Sequence, residues 1–255
     1  MKAVIPQITD LLGELQSLEC LHSFALAGGT NLAIRYNHRV SEDIDLFTDK
    51  MIGADGLCVI KEILSKRYRE NLKFCELINQ ESGDQYCFLR ALIRKGEVSI
   101  KVEFIQNVLT IQPTDIINNL RLLSVQDIGI LKLFSAASRK ANKDIYDLDL
   151  ITDEIPLNEL WRLMETRLQR NRLPERKSLF DLDGESELPD NISLLLDFDN
   201  IDYTNLPKRP SHSNDRLLLL PSSKSWVISR SNWKRKVKDF MRSRGTELPK
   251  IKPVN

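Results

Sequence analysis

Two aspartates separated by one residue, Asp43 and Asp45, follow a Gly-Gly-Thr turn after a spacer of twelve residues. Polar and apolar residues alternate over 43–47, which predicts a strand with both carboxylates on one face, about 6–7 Å apart. Such a pair can bind a hard divalent cation, Mg²⁺ or Mn²⁺, through oxygen. Two such ions can activate a nucleophile and stabilise a leaving pyrophosphate. Without the turn beside it, the same pair would be typical of a solvated strand face.

The turn itself, Gly28-Gly29-Thr30, follows a short apolar run and precedes a predicted helix. Glycines at a helix N-terminus allow backbone N–H groups to approach a phosphate closely. Thr30 supplies a hydroxyl donor and is also a candidate cap for that helix. A third carboxylate, Glu103, stands between Val102 and Phe104, a pattern typical of a charged residue that faces a site from a neighbouring strand. The alternative for Glu103 is a salt bridge along the strand.

These residues resemble the DNA polymerase β-like nucleotidyltransferase superfamily, and within it the AbiEii/AbiGii-type toxin family. The resemblance rests on two blocks and covers about residues 20–150. The first block is Leu26-Ala-Gly-Gly-Thr-Asn-Leu32 with His38-Arg39-x-Ser41-x-Asp43-Ile-Asp45-Leu-Phe47. The second is Lys132, Arg139 and Lys143-Asp144-Ile-Tyr146-Asp147-Leu148. On a helix, Lys132 and Arg139 share one face, although a solvated helix face is the alternative.

The resemblance implies a metal-dependent nucleotidyltransferase, which moves a nucleoside monophosphate from a nucleoside triphosphate (NTP) to an acceptor. The implied acceptor is RNA, with the tRNA 3′ end expected, and the protein is the implied toxin of an abortive-infection toxin–antitoxin pair. A cognate antitoxin, expected to be a transcriptional regulator, would be its partner. The implied roles are Asp43, Asp45 and Glu103 for Mg²⁺ or Mn²⁺; Gly28, Gly29 and Thr30 for the β- and γ-phosphates; Lys132 and Arg139 for triphosphate charge; and Asp144 for orienting the acceptor hydroxyl or the nucleotide. His38 and Arg39 are expected as structural partners near Asp43 or Asp45.

Two other functions stay open at this point. One is a nucleotide-binding or RNA-binding module that has the fold without catalysis, against which the complete carboxylate trio argues. The other is a nucleotidyltransferase that modifies a small molecule or a protein. Metal-dependent consumption of NTP would separate the first from an enzyme, and growth arrest on expression would separate the second from a toxin.

The elements that must position these residues indicate an α/β (α+β) fold with a small mixed sheet, followed by a mainly helical domain. The proposed boundaries are 1–110 for the nucleotidyltransferase core and 111–255 for the helical domain, with a loop-rich segment at about 181–223. The apolar spacing predicts helices over 7–19, 31–37, 53–71, 125–140 and 157–170, and strands over 24–27, 43–47, 86–94 and 98–105. Ser124 and Asp127 resemble a capping box. From residue 115 onward the pattern is interpreted as helical.

Composition sets the outer limits. The chain has 255 residues, 42% apolar and 29% charged, with a net charge of +1. These values exclude a disordered chain and a disulfide scaffold, and the balanced total gives no argument for nucleic acid. Four cysteines without a Cys-x-x-Cys pair do not predict a zinc site. No apolar run approaches the roughly 20 residues of a membrane span, so a soluble cytoplasmic protein is expected.

Charge is distributed unevenly toward the C-terminus. Residues 181–202 carry eight acidic side chains and no basic one, whereas 224–255 carry ten basic and two acidic ones. Over 230–244, Trp233, Val237 and Phe240 fall at helical spacing, so that one stripe would dock and leave the cations exposed. Those cations could contact RNA phosphates. The alternatives are a solvated face, or internal pairing with the acidic stretch.

Overall fold

The computed structural model describes residues 2–78, 83–182, 188–199 and 217–249. Its centre is a seven-stranded mixed sheet in the order β3-β4-β5-β2-β1-β7-β6, with β2 parallel to β5 and β1 parallel to β7. The strands are β1 Ala25–Leu26, β2 Ile44–Phe47, β3 Leu72–Ile78, β4 Phe88–Lys95, β5 Val98–Ile105, β6 Asp115–Ile117 and β7 Leu120–Leu122. The predicted α/β fold is confirmed.

Seven α-helices accompany the strands in the described part of the chain. They are α1 Pro6–Gln16, α2 Gly28–Tyr36, α3 Gly53–Tyr68, α4 Val125–Ser138, α5 Asn142–Glu154, α6 Leu157–Arg170 and α7 Trp226–Ser243. The predicted cap of α4 is present, because the Asp127 N–H donates to Ser124 Oγ at 3.0 Å; the Asp127 carboxylate accepts from the Ser124 hydroxyl at 2.7 Å, where a complete capping box would use the Ser124 backbone N–H. None of these helices is long and apolar enough to cross a membrane.

The two faces of the central strands bury different groups. Ile44 and Leu46 of β2 pack with Val102 and Phe104 of β5 in one core, which also takes the apolar faces of α1 and α3. The alternate residues of these strands therefore project from the opposite face. A second core, formed mainly by α4 to α7, includes Phe47 and Ile105 at the ends of the same strands. The carboxylates of β2 and β5 thus lie on the sheet face away from α1 and α3.

Two features of the elements differ from the predictions. The expected helix over 53–71 is present as α3 with a 3₁₀ turn over Arg69–Asn71, but the chain then continues into the edge strand β3, which was not predicted. Helical structure from residue 115 begins only at α4, because β6 and β7 form a hairpin around Asn118 and Asn119, both at positive φ. The Asn-Asn pair was the available signal, since left-handed turns of this kind favour asparagine. The sheet therefore takes two strands from beyond residue 110.

Helix α5 lies in the part of the chain interpreted as helical, but the apolar spacing did not predict it as a separate helix. Three aspartates, Asp144, Asp147 and Asp149, are among its fully buried residues, and they obscure the apolar period by which helices are recognised. About half of the loop-rich segment expected over 181–223 lies outside the described residues. Within it, Ile192–Asp199 forms a 3₁₀-helix, and Leu219 makes a bridge with Arg39.

Candidate active site

The carboxylates of Asp45 and Glu103 come from neighbouring parallel strands, in which the two residues are direct register partners. Asp43 precedes Asp45 by two residues, immediately before β2 begins. All three predicted carboxylates therefore meet at one place on the sheet. Asp45 and Glu103 are 58 positions apart in the chain, so it is the pairing of β2 with β5 that brings them together.

Asp45 is half-buried in this acidic group. Burial, together with the negative charges of Glu103 and Asp43, raises its pKa to about 6, while Lys101 and Arg139 act in the opposite direction. A carboxylate under such repulsion gains free energy when a cation comes close. The electrostatics of the cluster therefore favour a positive charge at Asp45.

Two cations already balance part of this acidic group. Lys101 Nζ lies 3.2 Å from Asp43 Oδ2 and 3.8 Å from Glu103 Oε2. Arg90, which faces Glu103 across the β4–β5 pair, donates to Glu103 Oε1 at 2.7 Å. Burial alone would lower the pKa of Lys101, but Glu103, Asp45 and Asp43 outweigh it and raise the pKa.

The described residues contain no set of three or more His, Cys, Asp or Glu side chains that already converge as ligands of a metal ion. Their donor chemistry nevertheless fits Mg²⁺ or Mn²⁺, because the group consists of carboxylate oxygens and the pKa of Asp45 is raised by burial and by the negative charges of Glu103 and Asp43. Because Lys101 Nζ contacts both Asp43 and Glu103, it would have to move away before both carboxylates could coordinate an ion.

The glycine turn packs directly against these carboxylates. Gly28 begins α2 at a φ of +65°, and a Cβ there would lie 1.9 Å from Asp45 Oδ2. A Cβ on Gly29 would lie 2.3 Å from Arg39 Nη2. The first N–H groups of an α-helix have no partner within the helix. Because Gly28 and Gly29 have no side chains, the backbone N–H groups at the start of α2 lie next to the acidic group.

Thr30 differs from its predicted position. Helix α2 already begins at Gly28, and Ala27 occupies the cap without a side-chain hydrogen bond, so the prediction that Thr30 caps the helix is wrong. Thr30 is fully buried, and its hydroxyl lies 2.5 Å from the Asp43 carbonyl oxygen and 2.8 Å from Ser41 Oγ. Its side chain thus fastens the loop that carries Asp43.

A buried ion network connects α4 with α5. Lys132 Nζ donates to Asp144 Oδ1 at 2.6 Å, and Arg139 donates to the same carboxylate from Nε at 2.5 Å and from Nη2 at 2.8 Å. Their common partner confirms that Lys132 and Arg139 share a face. Burial would raise the pKa of Asp144, but Arg139 and Lys132 outweigh it and hold the pKa well below its usual range. Arg139 also interacts electrostatically with Asp45.

Asp147 joins this network to the glycine turn. Its carboxylate accepts hydrogen bonds from Arg39 Nε at 2.6 Å and Nη2 at 2.7 Å, and Lys132 Nζ lies 2.8 Å away. His38 Nε2 is 2.9 Å from the same group, and its ring stacks on Tyr146. His38 and Arg39 thus have the expected structural role, but the carboxylate that they contact is Asp147 and not Asp43 or Asp45.

The pairing of Arg39 with Asp147 spans 108 residues, and sequence reasoning missed it. The available signal was the spacing of Asp144 and Asp147, which lie three apart and so share one helix face once α5 is recognised. Arg39 in turn packs on Gly29, so an uninterrupted series of contacts runs from the glycine turn through Asp147 and Lys132 to Asp144.

The C-terminal helix α7 docks as predicted by its apolar stripe, with Trp233, Val237 and Phe240 buried. Several of its expected exposed cations have other partners: Lys234 Nζ lies 5.6 Å from the centre of the Phe198 ring, and Arg244 pairs with Glu165 at 3.2 Å. Lys236 Nζ contacts Asp149 Oδ1 at 2.8 Å and Asp153 Oδ1 at 2.6 Å on α5. The prediction that all basic residues of this helix lie on a free surface is wrong for Lys236, because buried Asp149 needs counter-charges.

Comparison with known proteins gives one match to a family model over nearly the whole chain. The model described as Nucleotidyl transferase AbiEii toxin, Type IV TA system, matches residues 10–250. A protein of Aquifex aeolicus (strain VF5), Uncharacterized protein aq_aa25, is 29% identical over 150 residues. The matched region covers 58% of this chain and 66% of that protein, so the chain spans about two thirds of the relative's length.

Two solved structures from Helicobacter pylori align with most of this chain. A candidate nucleotidyltransferase shares 14% identity at a TM-score of 0.49, over 93% of this chain and 92% of the other. JHP933 shares 15% identity at a TM-score of 0.49, over 93% of this chain and 90% of the other.

Proposed function

Because the chain belongs to the AbiEii nucleotidyl transferase toxin family of type IV toxin–antitoxin systems, we propose that it transfers a nucleoside monophosphate from an NTP to the 3′ end of an RNA, with tRNA as the acceptor. The observation that carries this proposal is the position of Asp45, beside Glu103 and against the Gly28 turn. Oxygen donors for a metal and backbone donors for a phosphate thus lie side by side.

In this proposal Asp43, Asp45 and Glu103 hold Mg²⁺ or Mn²⁺. When bound, such ions activate the acceptor hydroxyl and stabilise the negative charge that develops on the leaving pyrophosphate. The RNA hydroxyl would lose its proton to water as its oxygen forms a bond to the α-phosphorus, and the bond from that phosphorus to the oxygen shared with the β-phosphate would break, so that pyrophosphate leaves. Lys101 maintains charge balance among the three carboxylates before the ion arrives.

The triphosphate would lie between the two parts of the chain proposed from the sequence, 1–110 and 111–255. Gly28, Gly29 and Thr30 offer the backbone N–H groups at the start of α2 to the β- and γ-phosphates. Lys132 and Arg139 would add positive charge from the helical part of the chain. Asp144 acts as a positioning residue in this arrangement, because it holds Lys132 Nζ and the Arg139 guanidinium in place and so orients the nucleotide.

Membership in a type IV toxin–antitoxin family implies a cognate antitoxin. We propose a transcriptional regulator as that partner, and growth arrest of the cell as the consequence of unopposed transfer. The exposed cations of α7 would contact the RNA backbone, because phosphate contacts of this kind give affinity without sequence choice.

The test is to incubate the protein with each α-labelled NTP and total RNA, in the presence of Mg²⁺ or Mn²⁺ and in EDTA. Label that appears in RNA with metal, and is absent for Asp45→Asn, supports the proposal. Label on a protein or small molecule would redirect it to another acceptor. NTP binding without any consumption would indicate a nucleotide-binding module.

A further inference from the structure

Lys143 stands out among the cations around the ion network. It lies in the first turn of α5, directly before Asp144, and is half-buried. Arg39, Lys132 and Arg139 each contact a buried carboxylate at 2.8 Å or less. Lys143 forms no hydrogen bond or ion pair with any residue that the structure describes. Its ammonium therefore lacks the partner that its neighbours have.

The surroundings of Lys143 carry an excess of positive charge. Four cations, Lys143 included, lie around the two buried carboxylates of Asp144 and Asp147. Burial lowers the pKa of Lys143, and Arg139, Lys132 and Arg39 lower it further, whereas Asp144 alone opposes them. Holding a half-buried ammonium among like charges costs stability. Local conflicts of this kind are expected where a protein keeps a site for a ligand.

The excess charge lies next to the acidic strands. Arg139 interacts electrostatically both with Lys143 and with Asp45. An anion that entered between Lys143 and Asp45 would relieve the repulsion at Lys143. Its other end would reach the Mg²⁺ or Mn²⁺ that the β2 carboxylates are proposed to hold. A compact polyanion fits this distribution better than the widely spaced phosphates of an RNA backbone.

We propose that Lys143 binds the triphosphate of the NTP directly, as the positive charge of the site that is left free for a ligand. This inference rests on the proposed nucleotidyl transfer, and it adds a residue to which sequence reasoning gave no role. Lysine suits the task because its ammonium is a point charge that can contact several phosphate oxygens. The simpler explanation is a lysine whose charged end reaches water.

The experiment measures binding of inorganic tripolyphosphate and of each NTP by calorimetry and thermal shift, without RNA. The variants are Lys143→Met and Lys143→Arg, with Lys143→Gln in reserve if the methionine variant does not fold. Lys140→Met is the matched control, because Lys140 lies three residues away and faces Asp197 at 3.5 Å. A short RNA oligonucleotide is titrated in parallel.

We expect Lys143→Met to weaken tripolyphosphate binding at least about tenfold. Lys143→Arg should retain most of the affinity, and Lys140→Met all of it. The melting temperature of unliganded Lys143→Met should equal or exceed that of the wild type, because a repelled charge is removed. A merely structural lysine would give the opposite change in stability.

Tripolyphosphate affinity within about twofold of the wild type in Lys143→Met would overturn the inference. Failure of the wild type to bind tripolyphosphate, or a loss of RNA affinity alone, would do the same. Failure of the proposed function looks different: the wild type would bind tripolyphosphate through Lys143 and yet transfer no nucleotide to RNA.

Discussion

The carboxylate of Asp45 occupies the space that a side chain on Gly28 would need, since a Cβ there would lie 1.9 Å from Oδ2. Glycine is therefore required at position 28 for two reasons: the backbone φ is +65°, and the Asp45 carboxylate leaves no space for a Cβ. The glycine turn and the carboxylate form a single unit, in which neither can move without the other.

Gly28→Ala should abolish nucleotidyl transfer, because the new methyl group displaces Asp45. Gly96→Ala is the matched control: Gly96 has a φ of +61° and no atom within 4 Å of its Cβ position. Both variants carry the same backbone cost of about 1–2 kcal/mol. Equal activities in the two variants, measured with labelled NTP, would show that the contact with Asp45 is irrelevant.

Asp45→Asn should reduce transfer by at least about 100-fold, or about 2.7 kcal/mol of transition-state stabilisation, because an amide cannot supply the charge that a divalent ion needs. Its melting temperature should not fall, since the asparagine removes repulsion with Glu103 and Asp43. Asp49→Asn, at an exposed position just beyond β2, is the control. Turnover within about tenfold of the wild type would remove Asp45 from the metal site.

Asp147→Asn should destabilise the protein by about 3–5 kcal/mol, because Arg39 and Lys132 lose a buried counter-charge. Burial would raise the pKa of Asp147, but Arg39 and Lys132 outweigh it and hold the pKa well below its usual range. The folded state therefore binds this proton less readily than the unfolded state, whose aspartate pKa is about 3.9.

The contribution of Asp147 to stability is consequently complete above about pH 5 and is lost as the pH falls below about 4. The free energies of unfolding of wild type and Asp147→Asn, measured with urea, should differ by a constant amount from pH 5 to 8. This difference should become smaller at acid pH. Exposed Asp239→Asn should show almost no difference. A difference in the free energy of unfolding that increases as the pH falls would contradict a lowered pKa of Asp147 in the folded state.

Lys236→Met should lower the free energy of unfolding by about 1.5–3 kcal/mol, because the ammonium contacts Asp149, Thr152 and Asp153. Lys238→Met, two residues along the same helix, should change it by less than about 0.5 kcal/mol. Chemical denaturation measures both. Similar losses for the two variants would mean that the contacts with α5 do not stabilise α7.

Lys234→Glu combined with Lys238→Glu should weaken RNA binding and flatten its dependence on salt, by about 0.7 in the log–log slope for each phosphate that the variant no longer neutralises. NTP affinity should not change, because α7 contributes nothing to the proposed triphosphate site. Lys61→Glu with Lys66→Glu makes the same change in net charge on exposed α3. An equal effect in both pairs would indicate net charge rather than a specific surface.

The sequence by itself determined the central strand–turn–helix unit and the carboxylates that it carries. Gly28, Gly29, Asp43 and Asp45 are local signals, because a glycine turn and an alternating strand depend on neighbours a few residues away. The position of Glu103 was also predictable as a charged residue between apolar ones. The alternation of side chains along a strand needs no tertiary information.

Only the tertiary structure decided which charges meet. The Arg39–Asp147 contact and the clamp of Lys132 and Arg139 on Asp144 join residues from separate elements whose packing no local pattern specifies. The same packing leaves Lys143 without a partner among the described residues. Helix α5 was not predicted as a separate helix for the same reason. Its aspartates are stable in the interior only because cations from other elements reach them, and burial of a charge is favourable only once its partner is in place.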